Sequence, residues 1–332
     1  MSCDEMKAGK APWLPLNDGN KIPAMGLGTF LGFDEVSKNG QKAPKENEIE
    51  HEVLWALDAG YRMVDTAAAY HNEENIAKGI QMSTLSREDV FIVTKLAPYE
   101  QRNVVQSLRN SLQRLNTTYV DLYLIHTPVA FMPDFSGFDI IDYVDTWKGM
   151  EEAKKLGLAK SIGISNFNVS QIQRLIDNCE IKPAVLQVEV NLNLAQHRLL
   201  EFCKTHGIQV MAYTPFGSLF HSGAGSPPPP SADDPTLVAI ADKYNKTTPQ
   251  VVLRYLIQYG VIPIPKSVHK NRIEQNIDVF DFELTPDEML SLARFNKDYR
   301  VVWPTFWQDH PYFPYEKSDT PARDLFKEGK KQ

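Results

Sequence analysis

Short, almost continuously apolar runs alternate with longer segments of helical periodicity along most of this chain. The run Val120–Ile125 (VDLYLI) belongs to the first kind and predicts a buried strand. Val104, Leu108 and Leu112 belong to the second kind, because residues four apart share one face of a helix. Strands that are apolar on both faces are typical of a parallel sheet with helices on each side.

These patterns recur about eight times in roughly 250 residues, which favours a (β/α)8 barrel over an open doubly wound sheet. No linker or shift in composition divides the chain, so we expect a single barrel domain over residues 1–332. The predicted strands lie at residues 63–64, 89–95, 120–125, 159–164, 184–188, 208–213 and 261–264. The predicted helices lie at residues 46–59, 75–82, 103–115, 147–156, 170–178, 196–206, 237–246, 249–259 and 270–276.

Two segments lie outside this repeat. Near the N-terminus, apolar runs flank Asn17–Asn20, and Asp-Gly between apolar runs predicts a β-hairpin at residues 12–25. At the other end, residues 298–332 are rich in aromatic residues and proline, and we expect this tail to lie across the barrel. Residues 34–45 and 216–234 are polar or rich in Gly and Pro, which predicts loops.

Composition and charge narrow the range of partners. The chain has 35 Lys and Arg against 42 Asp and Glu, a formal net charge of −7, which disfavours nucleic acid or an anionic membrane. Three cysteines without a CxxC spacing indicate neither a disulfide framework nor a zinc site, and no metal-ligand spacing occurs. No run approaches 18 apolar residues and no apolar signal segment opens the chain, so we expect a cytoplasmic protein.

Polar residues stand where the predicted strands end. The carboxyl ends of barrel strands converge on one face, where active sites lie, so we expect these side chains to meet. One polar residue at a strand end is usually a cap, but so many in one chain are not expected by chance. They are Asp65, Lys95, His126, Ser165, Asn166, Gln187, Tyr213 and Lys266, with Tyr70 in the loop after Asp65.

Four of these residues suit the reduction of a carbonyl group. Asp65 and Lys95 should pair, because an unpaired buried charge is costly. The Lys95 ammonium should lower the pKa of a neighbouring Tyr70 from about 10, which would make that phenol a competent general acid. His126 is suited to orient a carbonyl oxygen by hydrogen bonding.

A basic cluster follows the last predicted strand in this otherwise acidic chain. It consists of Lys266, Lys270 and Arg272, and Ser267 adds a hydroxyl donor. Such a cluster suits a phosphomonoester and favours NADP over NAD, whereas a solvated cationic surface is the alternative. The segment Gly26–Gly32 (GLGTFLG) does not match a dinucleotide fingerprint, because its third glycine comes one position late and no suitable helix follows.

The motifs of the chain, in their order and spacing, resemble the aldo-keto reductase family along nearly the whole length. They are GLGT, GYRMVDTAAAY, IVTKL, VDLYLIH, IGISNF, LQVEVN, AYTPFGS and IPKSVHKNRIEQN. The resemblance implies a monomeric, NADPH-dependent reductase of small-molecule carbonyls, with Asp65, Tyr70, Lys95 and His126 as its tetrad and Tyr70 as proton donor. Because His126 stands where a steroid-reducing branch has Glu, the resemblance implies reduction of carbonyls rather than of double bonds.

The resemblance also implies an NADPH site. It places the nicotinamide carboxamide at Ser165, Asn166 and Gln187, the ring on Tyr213, and the pyrophosphate under Thr214, Phe216 and Ser218. It places the 2′-phosphate at Lys266, Ser267 and Arg272, and the adenine at Asn276 and at Gln275, where many members have Glu. Gly28, Thr29, Pro215 and Val268 complete the implied set.

Three departures from the family pattern concern the substrate. Phe30, Ala97 and Thr127 are smaller than the tryptophans that line the pocket of small-aldehyde reductases, so we expect a wider pocket. Such a pocket would accept bulky hydrophobic carbonyls such as ketosteroids, ecdysteroid-like ketones or long-chain unsaturated aldehydes. Candidate walls are Phe131, Phe135, Trp303, Phe306, Trp307, Tyr312 and Phe313; the alternative is that these aromatics only pack the tail onto the barrel.

Other functions stay open at this point. An insect-type member resembling 3-dehydroecdysone reductase would have a steroid ketone as its main substrate. A relative that binds the cofactor but turns over slowly would keep the barrel without much chemistry. A non-redox barrel enzyme would use Lys95 as a Schiff base and the Lys266–Arg272 cluster for a substrate phosphate.

Overall fold

The computed structural model describes residues 9–32, 42–220 and 227–317. An antiparallel hairpin, β1 (Trp13–Pro15) and β2 (Lys21–Pro23), comes first, at the place predicted for it. The main sheet contains eight strands, and each is parallel to the next. In chain order they are β3 (Leu27–Gly28), β4 (Met63–Asp65), β5 (Phe91–Leu96) and β6 (Val120–Ile125), then, after a small hairpin of β7 (Ala130–Phe131) and β8 (Phe138–Asp139), β9 (Ala159–Ser165), β10 (Val185–Glu189), β11 (Gln209–Tyr213) and β12 (Ile262–Pro263).

The sheet closes on itself between its first and last strands. The Gly26 amide donates to the Pro263 carbonyl at 3.2 Å, and the Gly28 amide donates to the Pro265 carbonyl at 3.0 Å. Gly28 is required at this seam, because a Cβ there would lie 2.8 Å from the Ile264 oxygen. The predicted (β/α)8 barrel is therefore confirmed.

Helices connect the strands and cover the outside of the barrel. In the described ranges they are α1 (Glu48–Ala59), α2 (Glu73–Met82), α3 (Val104–Arg114), α4 (Tyr143–Lys155), α5 (Val169–Ile176), α6 (His197–Thr205), α7 (Pro235–Tyr244), α8 (Thr248–Gln258), α9 (Lys270–Ile277) and α10 (Pro286–Ala293). The last of these was missing from the prediction, although its start carries a visible signal. Thr285 and Glu288 form a capping box, and Pro286 occupies the first turn.

Successive residues of each strand point to opposite faces of the sheet, so they belong to two separate hydrophobic cores. Residues such as Ile92, Tyr123 and Leu186 face outward and pack against the helices. Met63, Val93 and their counterparts on other strands fill the interior, together with Leu16 and Ile22 from around the first hairpin. The interior is consequently a packed core rather than a pore.

The first hairpin covers one end of the barrel. Asn17 Nδ2 donates to the Pro183 carbonyl at 2.9 Å, and Asn20 Nδ2 donates to the Lys160 carbonyl at 3.0 Å, both where strands begin. Lys154 Nζ lies 2.6 Å from Asp18 Oδ2 and ties the turn to α4. Ligand access is therefore left to the opposite face, where the strands end.

Some predicted boundaries differ from the structure for local reasons. β5 begins at Phe91 rather than Asp89, because Arg87–Asp89 form a 3-10 turn capped by Ser86. α4 begins at Tyr143 rather than at 147, with Asp142 Oδ1 accepting from the Val144 amide as its cap.

Parts of the two predicted loops and of the tail, at residues 33–41, 221–226 and 318–332, lie outside the described residues. No helix in the described part is long and apolar enough to cross a membrane.

Candidate active site

A buried ion pair lies at the carboxyl end of the barrel. Lys95 Nζ is 2.7 Å from Asp65 Oδ1, and the two side chains are 0% and 2% exposed. The same ammonium donates to the Thr66 carbonyl at 2.9 Å. Lys95 points inward because it lies two residues after Val93, which belongs to the interior core. Burial lowers the pKa of Lys95, but the charge of Asp65 and the contact with Tyr70 outweigh it, so the pKa rises and the ammonium stays charged.

The Tyr70 hydroxyl lies 3.3 Å from the Lys95 ammonium. A 3-10 turn at Ala68–Tyr70, closed by the left-handed His71, directs this residue to the pair. Its ring packs against Phe30 at 4.9 Å and edge-on against His126 at 5.6 Å between ring centroids. The structure thus brings all four predicted catalytic residues together.

The expected lowering of the Tyr70 pKa is wrong for this structure. Burial raises the pKa of the phenol, the Lys95 ammonium opposes that rise, and the Asp65 carboxylate adds to it, so the net direction is upward. The prediction counted the ammonium but not the burial or the carboxylate. The consequence is a phenol that stays protonated, next to a cation that stabilises the phenolate formed when the proton leaves.

His126 is held as a neutral ring. Burial, followed by the positive charge of Lys95, lowers its pKa to about 3. Its Nδ1 is buried and has no hydrogen-bond partner among the described residues, while the Asn166 amide nitrogen donates to the His126 carbonyl at 2.9 Å. A neutral imidazole has one N–H group, which can donate a hydrogen bond to an oxygen placed between His126 and Tyr70.

Gln187 and Asn166, both predicted to hold a carboxamide, already have partners. Gln187 Nε2 donates to Asp65 Oδ2 at 2.7 Å, so it orients the carboxylate and satisfies its second oxygen. Asn166 Oδ1 accepts from the Tyr213 and Tyr315 hydroxyls, each at 2.7 Å. Ser165 is buried beside them. Tyr315 was missed from the sequence; its place in the aromatic tail was the only signal for it.

The loop after β11 carries the residues predicted for the pyrophosphate. Thr214 has a left-handed backbone, with φ of 48°. The Ser218 hydroxyl donates to Asn193 Oδ1 at 2.8 Å and lies 2.9 Å from the Pro228 carbonyl, which fixes this loop against its own far side. Pro215 and Phe216 lie between these two residues.

The predicted basic cluster lies after β12, beside the barrel seam. Lys266 is partly exposed and Arg272 is exposed, and neither forms an ion pair with another described residue. Ser267 Oγ accepts from the His269 amide at 3.1 Å at the start of α9. Asn276 is buried, whereas Gln275 is exposed and Val268 partly so. Two cations without an ion-pair partner in the described part of the chain make a suitable place for an anion, and Lys266 lies beside the seam, since a Cβ on Gly28 would be 3.7 Å from the Lys266 Cβ.

The predicted substrate residues fall into two groups. Phe30 lies against the Tyr70 ring, whereas Ala97 and Thr127 are completely buried. On the tail side, Trp307 packs against Phe131 at 6.0 Å and against Phe306 at 5.3 Å. Arg300 lies 6.0 Å from the Trp303 ring. The aromatics of the tail therefore contact the loop after β6.

The chain is similar to known proteins over most of its length. Residues 24–297 match the sequence model of the Aldo/keto reductase family. Aldo-keto reductase AKR2E4 of Bombyx mori is 47% identical over 313 residues, which is 92% of this chain and 99% of that protein. Its crystal structure in complex with NADP superposes with a TM-score of 0.86 over the same shares of the two chains.

A second silkworm structure, aldo-keto reductase AKR2E5 complexed with NADPH, is 39% identical. It has a TM-score of 0.89 and covers 95% of this chain and 96% of its own. The chain belongs to the aldo/keto reductase family. It is an NADP-dependent oxidoreductase.

Proposed function

We propose that this protein reduces aldehydes and ketones to alcohols with NADPH, using Tyr70 as the proton donor. The observation that carries the proposal is the contact of the Tyr70 hydroxyl with a buried, Asp65-paired Lys95 ammonium, beside a neutral His126. When NADPH is bound, it supplies the hydride that reaches the carbonyl carbon. The protein's own groups handle the oxygen.

Each catalytic side chain has a separate role. Tyr70 donates its proton to the developing alkoxide, and Lys95 stabilises the phenolate that remains. Asp65 keeps the ammonium in place and charged, since a buried cation alone would be expensive. His126 hydrogen-bonds the carbonyl oxygen and, because it is neutral, does not compete with Tyr70 as the acid.

The residues of the barrel mouth and seam fit NADPH. Lys266, Ser267 and Arg272 offer two cations and a hydroxyl to a 2′-phosphate, and solved relatives contain NADP or NADPH. Ser165, Asn166, Gln187 and Tyr213 are clustered at the Asp65 end and would hold the nicotinamide near the substrate carbonyl. Thr214, Pro215, Phe216 and Ser218 would cover the pyrophosphate, Gln275 and Asn276 would contact the adenine, and Gly28, Thr29 and Val268 complete the site.

The substrate class follows from the walls around Tyr70. Phe30 beside the phenol, with Phe131, Trp303 and Phe306 from the loop and tail, would form an apolar surface for a bulky carbonyl compound. We include steroid ketones of the 3-dehydroecdysteroid kind, because the 47% identical relative comes from the silkworm Bombyx mori. A monomeric, single-domain, cytoplasmic protein is the simplest form consistent with this activity.

The test is a panel of carbonyl compounds assayed with NADPH and with NADH. We expect turnover with NADPH, weaker activity with NADH, and higher kcat/KM for a steroid ketone than for a small benzaldehyde. Arg272→Met should raise the Kd for NADPH but not for NADH, whereas Arg109→Met, at an exposed arginine on α3, should change neither.

Three results would be informative against the proposal. If NADPH did not bind, the reductase would be excluded in favour of non-redox barrel chemistry. If NADPH bound without measurable turnover of any carbonyl compound, the low-turnover relative would be the better description. If the benzaldehyde turned over well and the steroid ketone did not, only the bulky-substrate part would be rejected.

A further inference from the structure

Glu52 is a buried carboxyl group without hydrogen bonds. It lies on α1, its exposed fraction is 0%, and neither carboxylate oxygen has a partner among the described residues. Other buried carboxylates of the barrel are bonded: Glu73 to Thr94 Oγ1 at 2.6 Å and Glu189 to the Val301 and Val302 amides at 2.8 Å. An unpaired buried carboxylate is costly, so a group in this setting favours its neutral form.

The surroundings of Glu52 connect it to the basic cluster. α1 packs against α9, the helix that carries Arg272 and Asn276. Tyr61, which follows α1, is fully buried and donates its hydroxyl to the Ile273 carbonyl in α9 at 3.3 Å, and the charge of Glu52 acts on it. Glu52 is thus a buried residue of a helix that packs against the helix carrying Arg272.

Two charged residues act on the carboxyl itself. Burial is the largest effect and raises the pKa of Glu52 to about 8; the ammonium of Lys266 opposes the rise and Glu48, on the same helix, adds to it.

The remaining charged groups on the neighbouring helices are either paired with other residues or exposed. On α9, Lys270 lies 3.9 Å from Glu274, and Arg272 is exposed. On α2, Glu73 is paired with Arg114 and Glu74 is exposed, while Lys78 is also exposed.

We propose that Glu52 is a positioning residue that links a proton to NADPH binding. Neutral Glu52 leaves the Lys266 ammonium available to the 2′-phosphate, whereas ionised Glu52 attracts that ammonium and repels the phosphate. Phosphate binding and protonation of Glu52 therefore favour each other, and NADPH binding above neutral pH takes up a proton. This inference rests on the proposed role of Lys266 in cofactor binding.

The experiment measures the Kd for NADPH at pH 7 and pH 9 by fluorescence titration. If only the neutral form of Glu52 binds well, a carboxyl that titrates near pH 8 weakens NADPH binding about tenfold between these two pH values. Glu52→Gln, which is neutral at every pH, should keep its pH 7 affinity at pH 9. Asp58→Asn, at an exposed carboxylate on the same helix, should behave like the wild-type protein.

A second measurement needs no variant. Calorimetry of NADPH binding at pH 8, in buffers with different ionisation enthalpies, should show an uptake of about half a proton. NADH lacks the 2′-phosphate and should show a smaller uptake and a smaller pH effect.

The outcomes separate this inference from the proposed function. The inference would be overturned if the wild-type protein took up no proton on binding NADPH. It would also be overturned if the NADPH affinity of Glu52→Gln fell between pH 7 and pH 9 as steeply as that of the wild type. Failure of the wild-type protein to bind NADPH at pH 7 would instead overturn the proposed function on which it rests.

Discussion

Asp65 and Lys95 form a buried ion pair, and we predict that removing one of the two charges destabilises the fold more than removing both. Both side chains are essentially inaccessible, and their charged atoms lie 2.7 Å apart. Lys95→Met leaves the Asp65 carboxylate buried, with Gln187 as its remaining side-chain partner among the described residues. Asp65→Asn leaves the ammonium without a counter-charge. Removing one partner of such a pair typically costs about 3–5 kcal/mol, whereas removing both charges is close to neutral.

The size of the thermal shift follows from the length of the chain. With about 2.1 cal/mol/K of unfolding entropy per residue, a chain of 332 residues has an unfolding entropy of about 0.7 kcal/mol/K. A loss of about 3–5 kcal/mol therefore lowers Tm by about 4–7 °C in each single variant. The double variant Asp65→Asn/Lys95→Met should be no less stable than either single variant, because it buries no unpaired charge.

The assay is differential scanning calorimetry, which gives the Tm of the wild type, the two single variants and the double variant and so completes the double-mutant cycle. Lys148→Met is the matched control, since it removes an ion pair with Asp145 whose side chains are 66% and 65% exposed, and its Tm should equal that of the wild type. A double variant whose Tm falls by the sum of the two single shifts would refute the reasoning. It would mean that the two charges do not compensate each other in the folded protein.

Two further predictions concern His126 and the tail. The pKa of His126 is lowered to about 3, so its ring is neutral above that value. The profile of kcat between pH 5 and pH 8 should therefore show no inflection from a titrating histidine. An inflection near pH 6.5 in the wild type that is absent in His126→Gln would contradict this. Glu189 accepts hydrogen bonds from the Val301 and Val302 amides at 2.8 Å each. Glu189→Gln should therefore lower the free energy of local unfolding around these two amides by about 1–3 kcal/mol and speed their hydrogen exchange. Unchanged exchange at both amides would show that Glu189 does not anchor the tail.

The positions of the catalytic residues were predictable because one geometric rule connects them to the sequence. In a parallel barrel, residues at the carboxyl ends of strands point to one face, so Asp65, Lys95 and His126 had to converge once the strands were recognised. Seven of the eight barrel strands were visible as apolar runs, since both of their faces are buried. The two-residue strand β3 was not predicted. The placement of Tyr70 came from its position in the loop five residues after Asp65, and the family resemblance then implied its role as the proton donor.

Properties that depend on burial and on long-range contacts were not predictable. The pKa of Tyr70 rises because its surroundings exclude water, which no local pattern reveals. Gln187 bonds to Asp65 across 122 positions of the chain, and Tyr315 reaches Asn166 across 149. The burial of Glu52 on a helix with polar neighbours was equally hidden. By contrast, α10 was overlooked although its capping box at Thr285 could have been read from the sequence.

The most direct test of the central claim is Tyr70→Phe, measured for cofactor binding and for single-turnover hydride transfer on the same preparation. The substitution removes one hydroxyl and keeps the ring that packs against Phe30 and His126. We predict an NADPH affinity close to that of the wild type and a fall in the rate of carbonyl reduction by about 10²–10⁴. Carbonyl reduction at a rate near that of the wild-type protein would contradict the assignment of Tyr70 as the proton donor.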